Sequence, residues 1–133
     1  MMNNQFLISY RELRVYQAAL DLAMQVFEHS QAFPSAERDR LTAPLLRATR
    51  LLCVYVAQAW LRRRYHSAFI ATLNQAEAEA AATQVWLELA VLSAYLDAEV
   101  GQELHHECRQ VLTALDHLIH HAAAWVVPAD VET

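Results

Sequence analysis

The chain has 133 residues, 56% of them apolar and 19% charged, with ten arginines, no lysine and a net charge of −5. That length suits one domain able to bury roughly two thirds of its unfolded surface, and no uninterrupted apolar run approaches the roughly 18 residues of a membrane span. A single glycine excludes a glycine-rich phosphate loop, and the scarcity of turn formers and β-branched residues beside Ala, Leu, Gln, Glu and Arg makes all-α the expected fold class.

The opening Met1-Met2-Asn3-Asn4-Gln5 lacks both a basic n-region and a cleavage signal, so a cytoplasmic protein is expected. Ser9-Tyr10-Arg11-Glu12 reads as a capping box opening helix one, predicted over 10–30. There Leu13, Tyr16, Leu20, Ala23, Met24 and Phe27 form the predicted core stripe, with Val15, Leu22 and Val26 a weaker second one. Phe33-Pro34 breaks the pattern. Helix two is predicted over 36–64, and two starts stay open: near Ser35 with a kink at Pro44, or capped at Thr42. Its apolar residues go almost all round. Leu45, Ala48, Leu52, Tyr55, Val56 and Ala59 make one face, while Leu46, Val54 and Leu61 lie away from it. Arg62-Arg63-Arg64 ends this helix, where cations suit the negative end of the dipole.

Helix three, predicted over 67–96 with Ser67 as its cap, carries Phe69, Ile70, Leu73, Ala76, Ala80, Leu87, Val91 and Tyr95 on one side. Val85, Trp86, Leu89 and Leu96 point elsewhere and call for a neighbour. Helix four, predicted over 98–125 behind an Asp97 cap, has one stripe of Val100, Leu104, Cys108, Val111, Leu115, Leu118, Ile119 and Ala122. His106, Gln110, Thr113, His117 and His120 lie opposite, Val126-Val127-Pro128 ends the helix, and residues 1–8 and 127–133 are expected to fray. Four long helices with short connections predict a single up-and-down antiparallel four-helix bundle over 1–133.

Signs of chemistry are sparse. Cys53 and Cys108 are isolated, in no CxxC arrangement, and read as reduced core thiols. His105, His106, His117, His120 and His121 crowd helix four, and His117 with His121 has the i, i+4 spacing of a metal pair, but no third ligand completes it. Glu103-Leu104-His105-His106 has the Glu-x-x-His spacing of di-iron bundles in one copy only, pointing away from the core stripe. Ser67 and Cys53 have no base in a recognisable signature. No enzyme activity, metal or cofactor is therefore expected. Tyr55, Trp60, Tyr65, Trp86 and Trp125 read as core or interface anchors rather than base-stacking platforms.

A solitary bundle needs one apolar stripe per helix, so the second stripes predict a homo-oligomer with Leu46, Val54, Leu61, Trp86 and Leu89 between copies. Charge is segregated along the chain: residues 38–66 carry seven arginines against one aspartate, while residues 67–133 carry Arg109 against ten acids. Arg47, Arg50, Arg62, Arg63 and Arg64 are candidate phosphate contacts, multiplied into a belt in a ring of copies. Against this, the same arginines would cap helix two and pair with acids of helices three and four.

Three ordered segments carry a family resemblance. Tyr10-Arg11-Glu12-Leu13-Arg14-Val15-Tyr16-Gln17-Ala18-Ala19 resembles an "F-x-x-L-x-V-W-Q-x-A" opening; Phe33-Pro34 with Glu37, Leu41-Thr42 and Arg47-Ala48 resembles "F-P-x-x-E-x-x-x-L-T-x-Q-x-R-R-A"; Phe69-Ile70, Glu79-Ala80, Thr83 and Trp86-Leu87 resemble "F-I … E-A-x-E-T-x-Y-W-L". The pattern is similar to the four-helix-bundle proteins encoded in intervening sequences of bacterial 23S rRNA genes, a group that includes accessory variability determinants of diversity-generating retroelements. The resemblance implies a ring-shaped homopentamer without enzymatic activity, in a group associated with ribosomal RNA loci, or with reverse transcriptase and template RNA, so that structured RNA or a nucleic-acid enzyme is the partner to consider beside further copies of the chain. The chain departs from the family at Arg50-Leu51-Leu52-Cys53-Val54-Tyr55-Val56-Ala57, where Val54 and Ala57 replace the asparagine and glutamate of "S-I-x-x-N-I-x-E", and Pro44 stands where glutamine is usual. Two roles stay open: a self-assembling scaffold or adaptor, and an RNA- or DNA-binding accessory.

Overall fold

Residues 9–125 are described by the computed structural model. Among them the chain forms four α-helices and no strand: α1 Arg14–Ser30, α2 Ala43–Leu61, α3 His66–Leu92 and α4 Ala98–His120. Each packs along its neighbour in sequence, and α1 also lies along α4. The four thus stand as a square, an up-and-down antiparallel bundle. Its centre is filled by Leu22, Leu52, Phe69, Leu73, Leu104 and Leu115, each at most 1% exposed and each contributing about 1.5–3 kcal/mol by leaving water.

The stripe expected on α4 is the one observed. Leu104, Cys108, Val111, Leu115, Leu118 and Ala122 are buried, and His106, Gln110, Thr113, His117 and His120 face water. On α1 the inner face turns towards the second stripe, and of the expected one Leu13 and Ala23 stay buried while Tyr16 is half-buried. Val15, Ala19, Leu22, Ala23 and Val26 are buried, whereas Leu20, Met24 and Phe27, expected in the core, are exposed. Small and β-branched side chains let α1 come close to its neighbours, so they win the inner face from bulkier ones.

Ser9 caps a short 3-10 turn, Tyr10–Glu12, rather than α1, its hydroxyl accepting from Arg11 N–H at 3.2 Å. Buried Leu13 then turns extended (ψ 128°), which separates that turn from α1. The approach to α2 combines both predicted starts. A 3-10 turn, Ser35–Glu37, leads into a π-helical turn, Arg38–Thr42, and Pro44 is the second residue of α2. Proline's ring would strike the carbonyl four residues back in a continuing α-helix. The wider turn, closed by Ala43 N–H on Arg38 C=O, carries the chain past Pro44 without a break.

α2 ends at Leu61, before the three arginines expected in its last turn. α3 starts at His66 behind Tyr65, so Ser67 lies inside the helix, makes no cap, and is exposed. Asp97 holds the N-cap position of α4 with an extended backbone, but its carboxylate makes no capping hydrogen bond. α3 stops at Leu92 rather than at the predicted residue 96. There Ala94 N–H reaches Val91 C=O at 2.9 Å and Tyr95 N–H reaches Ala90 C=O at 3.0 Å, a Schellman closure whose left-handed position is filled by Ala94 at φ 63°. The reversal folds Leu96, expected to need a neighbour, into its own core.

Three further contacts fix the ends of the bundle. Tyr95 donates its hydroxyl to Glu37 Oε2 at 2.9 Å and its ring packs 6.3 Å from Phe33, tying the α1–α2 connection to the α3–α4 connection. Gly101 is buried where α4 crosses the end of α3, and a Cβ there would collide with Val91 Cγ2. After α4 a 3-10 turn, Ala122–Ala124, delivers Trp125 edge-on to Trp60 at 5.5 Å. The expected stop at Val126-Val127-Pro128 and both expected frayed ends lie outside the described residues.

Candidate interaction surface

The large exposed apolar side chains are unevenly placed. Among the described residues Leu20, Met24 and Phe27 stand on α1, Val54 and Leu61 on α2, Tyr65 in the turn, and Val85, Leu89 and Leu92 on α3; α4 has none. Of the five interface residues read from sequence, Val54, Leu61 and Leu89 are well exposed, Leu61 at 71%. Leu46 and Trp86 are half-buried against their own core. The α1 stripe escaped the sequence reading because its residues were assigned inward. Its signal was present, since α1 carries two apolar stripes and a core accommodates one.

On α3 the outward face is almost free of charge. Ala71, Asn74, Gln75, Ala78, Ala81, Val85, Leu89 and Leu92 are all exposed there. Along the seam with α2 runs a groove of about 460 Å³, lined by Asp39, Pro44, Arg47, Leu51, Glu79 and Trp86.

The candidate phosphate contacts separate into two groups. Arg47 and Arg50 are exposed on the outer side of α2, the side that also presents Val54 and Leu61. At the α2–α3 turn, Arg63 lies flat on the Trp60 ring, 3.9 Å from its centroid, and donates to Trp60 C=O at 2.8 Å. Loss of solvent lowers its pKa. It is a helix cap, as cations at a C-terminus tend to be. Arg62 donates to Thr72 Oγ1 at 3.2 Å. None of these five arginines forms an ion pair with a carboxylate among the described residues, where His120–Asp116 is the pair seen. The expected pairing with acids of α3 and α4 is therefore absent within the chain.

The aromatic residues fall mostly inside. Trp60 is buried, Tyr55, Trp86 and Trp125 are half-buried, and Tyr65 is exposed.

The histidines do not converge. The His117 and His121 rings stack at 4.1 Å, His121 Nδ1 lies 2.9 Å from His117 C=O, and His120 Nδ1 turns to Asp116. Stacked rings aim their nitrogens in parallel, not at one point. Among the described residues no group of three or more His, Cys, Asp or Glu could hold a metal ion, and Glu103 and His106 are exposed. Burial pushes the Cys53 thiol up to about 11 and that of Cys108 up to about 12. Cys108 Sγ–H donates to Ala80 C=O at 3.0 Å. Both therefore stay protonated and unreactive near neutral pH. No helix of the described residues is long and apolar enough to cross a membrane.

Fold and surface together define an all-helical bundle with more apolar surface than its own core uses. Residues 11–117 match the family described as 23S rRNA-intervening sequence protein, and the chain belongs to that family. Its fold is also that of a crystal structure of a Bacteroides thetaiotaomicron protein of unknown function from the S23 ribosomal protein family, at 21% identity and a TM-score of 0.71, over 79% of this chain and 97% of that one. Nothing among the curated proteins matches the chain.

Proposed function

We propose that the protein is a cytoplasmic, non-enzymatic scaffold or adaptor that assembles with copies of itself, in a homopentameric ring. The observation that carries this is the row of large apolar side chains left in water on α1, α2 and α3. Contiguous apolar surface of that kind marks protein contact sites. Gel filtration with light scattering tests it. A species of several chain masses is expected, and a 15.1 kDa species for the unmodified protein overturns it.

A second reading is supported by the arginines that lack carboxylate partners among the described residues: a nucleic-acid-binding accessory using Arg47, Arg50, Arg62 and Arg64. Arg63 contributes less, being spent on Trp60. A gel-shift titration against structured RNA at two salt concentrations tests it, because counterion release demands an affinity that falls steeply with salt. No shift at low salt overturns it.

A further inference from the structure

We propose that the groove on the α2–α3 seam binds a free basic amino acid. Its volume of about 460 Å³ is that of a small-molecule site. Pro44, Leu51 and Trp86 give it apolar walls, and the small side chains of Ala48 and Ala82 leave the space between the helices open. Its charged lining is Asp39, Arg47 and Glu79, and among the described residues no ion pair joins Arg47 to either carboxylate. Opposite charges that face one space without closing on each other leave room for a ligand carrying the complementary set.

The order of these groups along the groove follows from the fold. Asp39 lies in the π-helical turn just before α2, at the end of the bundle where Tyr95 reaches Glu37. Helices α2 and α3 run antiparallel, so Pro44, near the start of α2, stands beside the later part of α3, where Trp86 lies. Leu51, two turns further along α2, stands towards Glu79, which is seven residues before Trp86 and so about 10 Å from it along α3. Arg47 comes between. One end therefore offers a carboxylate beside an indole ring, and the other an arginine and a half-buried carboxylate.

The lining asks for two cations and one anion, with an apolar stem between the ends. A linear polyamine would set a cation against Arg47. A phosphate or a simple carboxylate would face Asp39 and Glu79. An arginine or lysine within a peptide has given up its free ammonium and carboxylate to amide bonds. The free basic amino acid matches all three: its side-chain cation lies at Asp39 against Trp86, its stem along Pro44 and Leu51, its carboxylate on Arg47 and its α-ammonium on Glu79. The site does not depend on self-assembly.

Calorimetric titration of the full chain with L-arginine and with L-lysine tests the proposal. Saturable binding is expected. Citrulline lacks the side-chain charge, agmatine the carboxylate and Nα-acetylarginine the ammonium, and each should bind about tenfold or more weakly than arginine. Three variants assign the contacts, with circular dichroism verifying the fold. Asp39→Asn should abolish the preference for arginine over citrulline, Arg47→Gln the preference over agmatine, and Glu79→Gln the preference over Nα-acetylarginine. Absence of saturable binding of both amino acids overturns the site, whether the groove stands empty or another copy covers it. Binding that none of the three substitutions alters lies elsewhere and overturns it too, as do analogues that bind as tightly as arginine.

Discussion

Helices α3 and α4 lie against each other and are similarly long, 27 and 23 residues, yet their surfaces obey different rules. On α4 the apolar residues occupy one side and histidines, acids and glutamines the other, so the helix is complete within a single chain. On α3 the buried side, Phe69, Leu73, Ala76, Ala80 and Leu87, is matched by an outward side of alanines with Val85, Leu89 and Leu92, the last 82% exposed. A helix apolar all round is stable in water only when both sides are covered. The contrast teaches that the chain uses part of its apolar surface for its own fold and leaves part in water, the part that the proposed assembly would cover.

The sharpest way to break the comparison is to truncate a leucine on each helix. Leu115→Ala on α4 should cost about 2–5 kcal/mol in urea unfolding, through lost burial and the cavity left behind. Leu89→Ala on α3 should change the stability of the single chain by no more than about 0.5 kcal/mol, while lowering the mass seen by light scattering. Equal losses at the two sites would erase the distinction. Next in size, Val54→Glu should weaken assembly by several kcal/mol, since it buries an unpaired charge between copies, with the helical circular dichroism signal unchanged.

The boundary between the two helices can be sharpened at Gly101, whose missing side chain lets α4 sit on Val91. Gly101→Ala should destabilise by about 1–2 kcal/mol despite alanine's better helix propensity. In a Val91→Ala background the added methyl should be tolerated, a coupling that a double-mutant cycle in urea measures. Ala94→Gly should act the other way, stabilising by up to about 1 kcal/mol, because glycine carries no penalty at φ 63°.

The smallest expected effect is a pH dependence at Glu107. Burial, the larger cause, raises its carboxyl pKa; the Gln25 hydrogen bond lowers it, and nearby Asp21 and Glu103 raise it further. A carboxyl that binds its proton more tightly folded than unfolded makes stability fall as pH rises from the unfolded towards the folded pKa. Glu107→Gln should therefore stabilise at neutral pH and make little difference under acid conditions, where the native carboxyl is already protonated. Urea midpoints at the two pH values measure the difference.

The elements legible in the sequence were those with one answer. The α4 stripe was readable because a single apolar side leaves a helix one way to turn. The α1 stripe was misread because Leu20, Met24 and Phe27 outweigh Val15, Ala19 and Leu22 in bulk, and periodicity alone does not rank two stripes. Close helix packing does, and that is a tertiary property. Pro44 announced irregular backbone without saying that a wider turn would absorb it. Ser67 had the chemistry of a cap but lay inside the helix, since helix ends depend on where the preceding turn delivers the chain. In the candidate surface, the exposure of Val54, Leu61 and Leu89 was legible from an apolar pattern with no inner place to go. The withdrawal of Arg63 onto Trp60 was not, because stacking across a turn leaves no periodic trace.

The clasp of Tyr95 on Glu37 beside Phe33 makes the two ends of the bundle unequal. Two of the three interhelix connections are joined at one end, while the other holds the α2–α3 turn and the edge-on pair Trp60 and Trp125. Breathing motions should therefore start near the α2–α3 turn and travel inward, so amide hydrogens there exchange with deuterium first and those in the helical turns beside the clasp last.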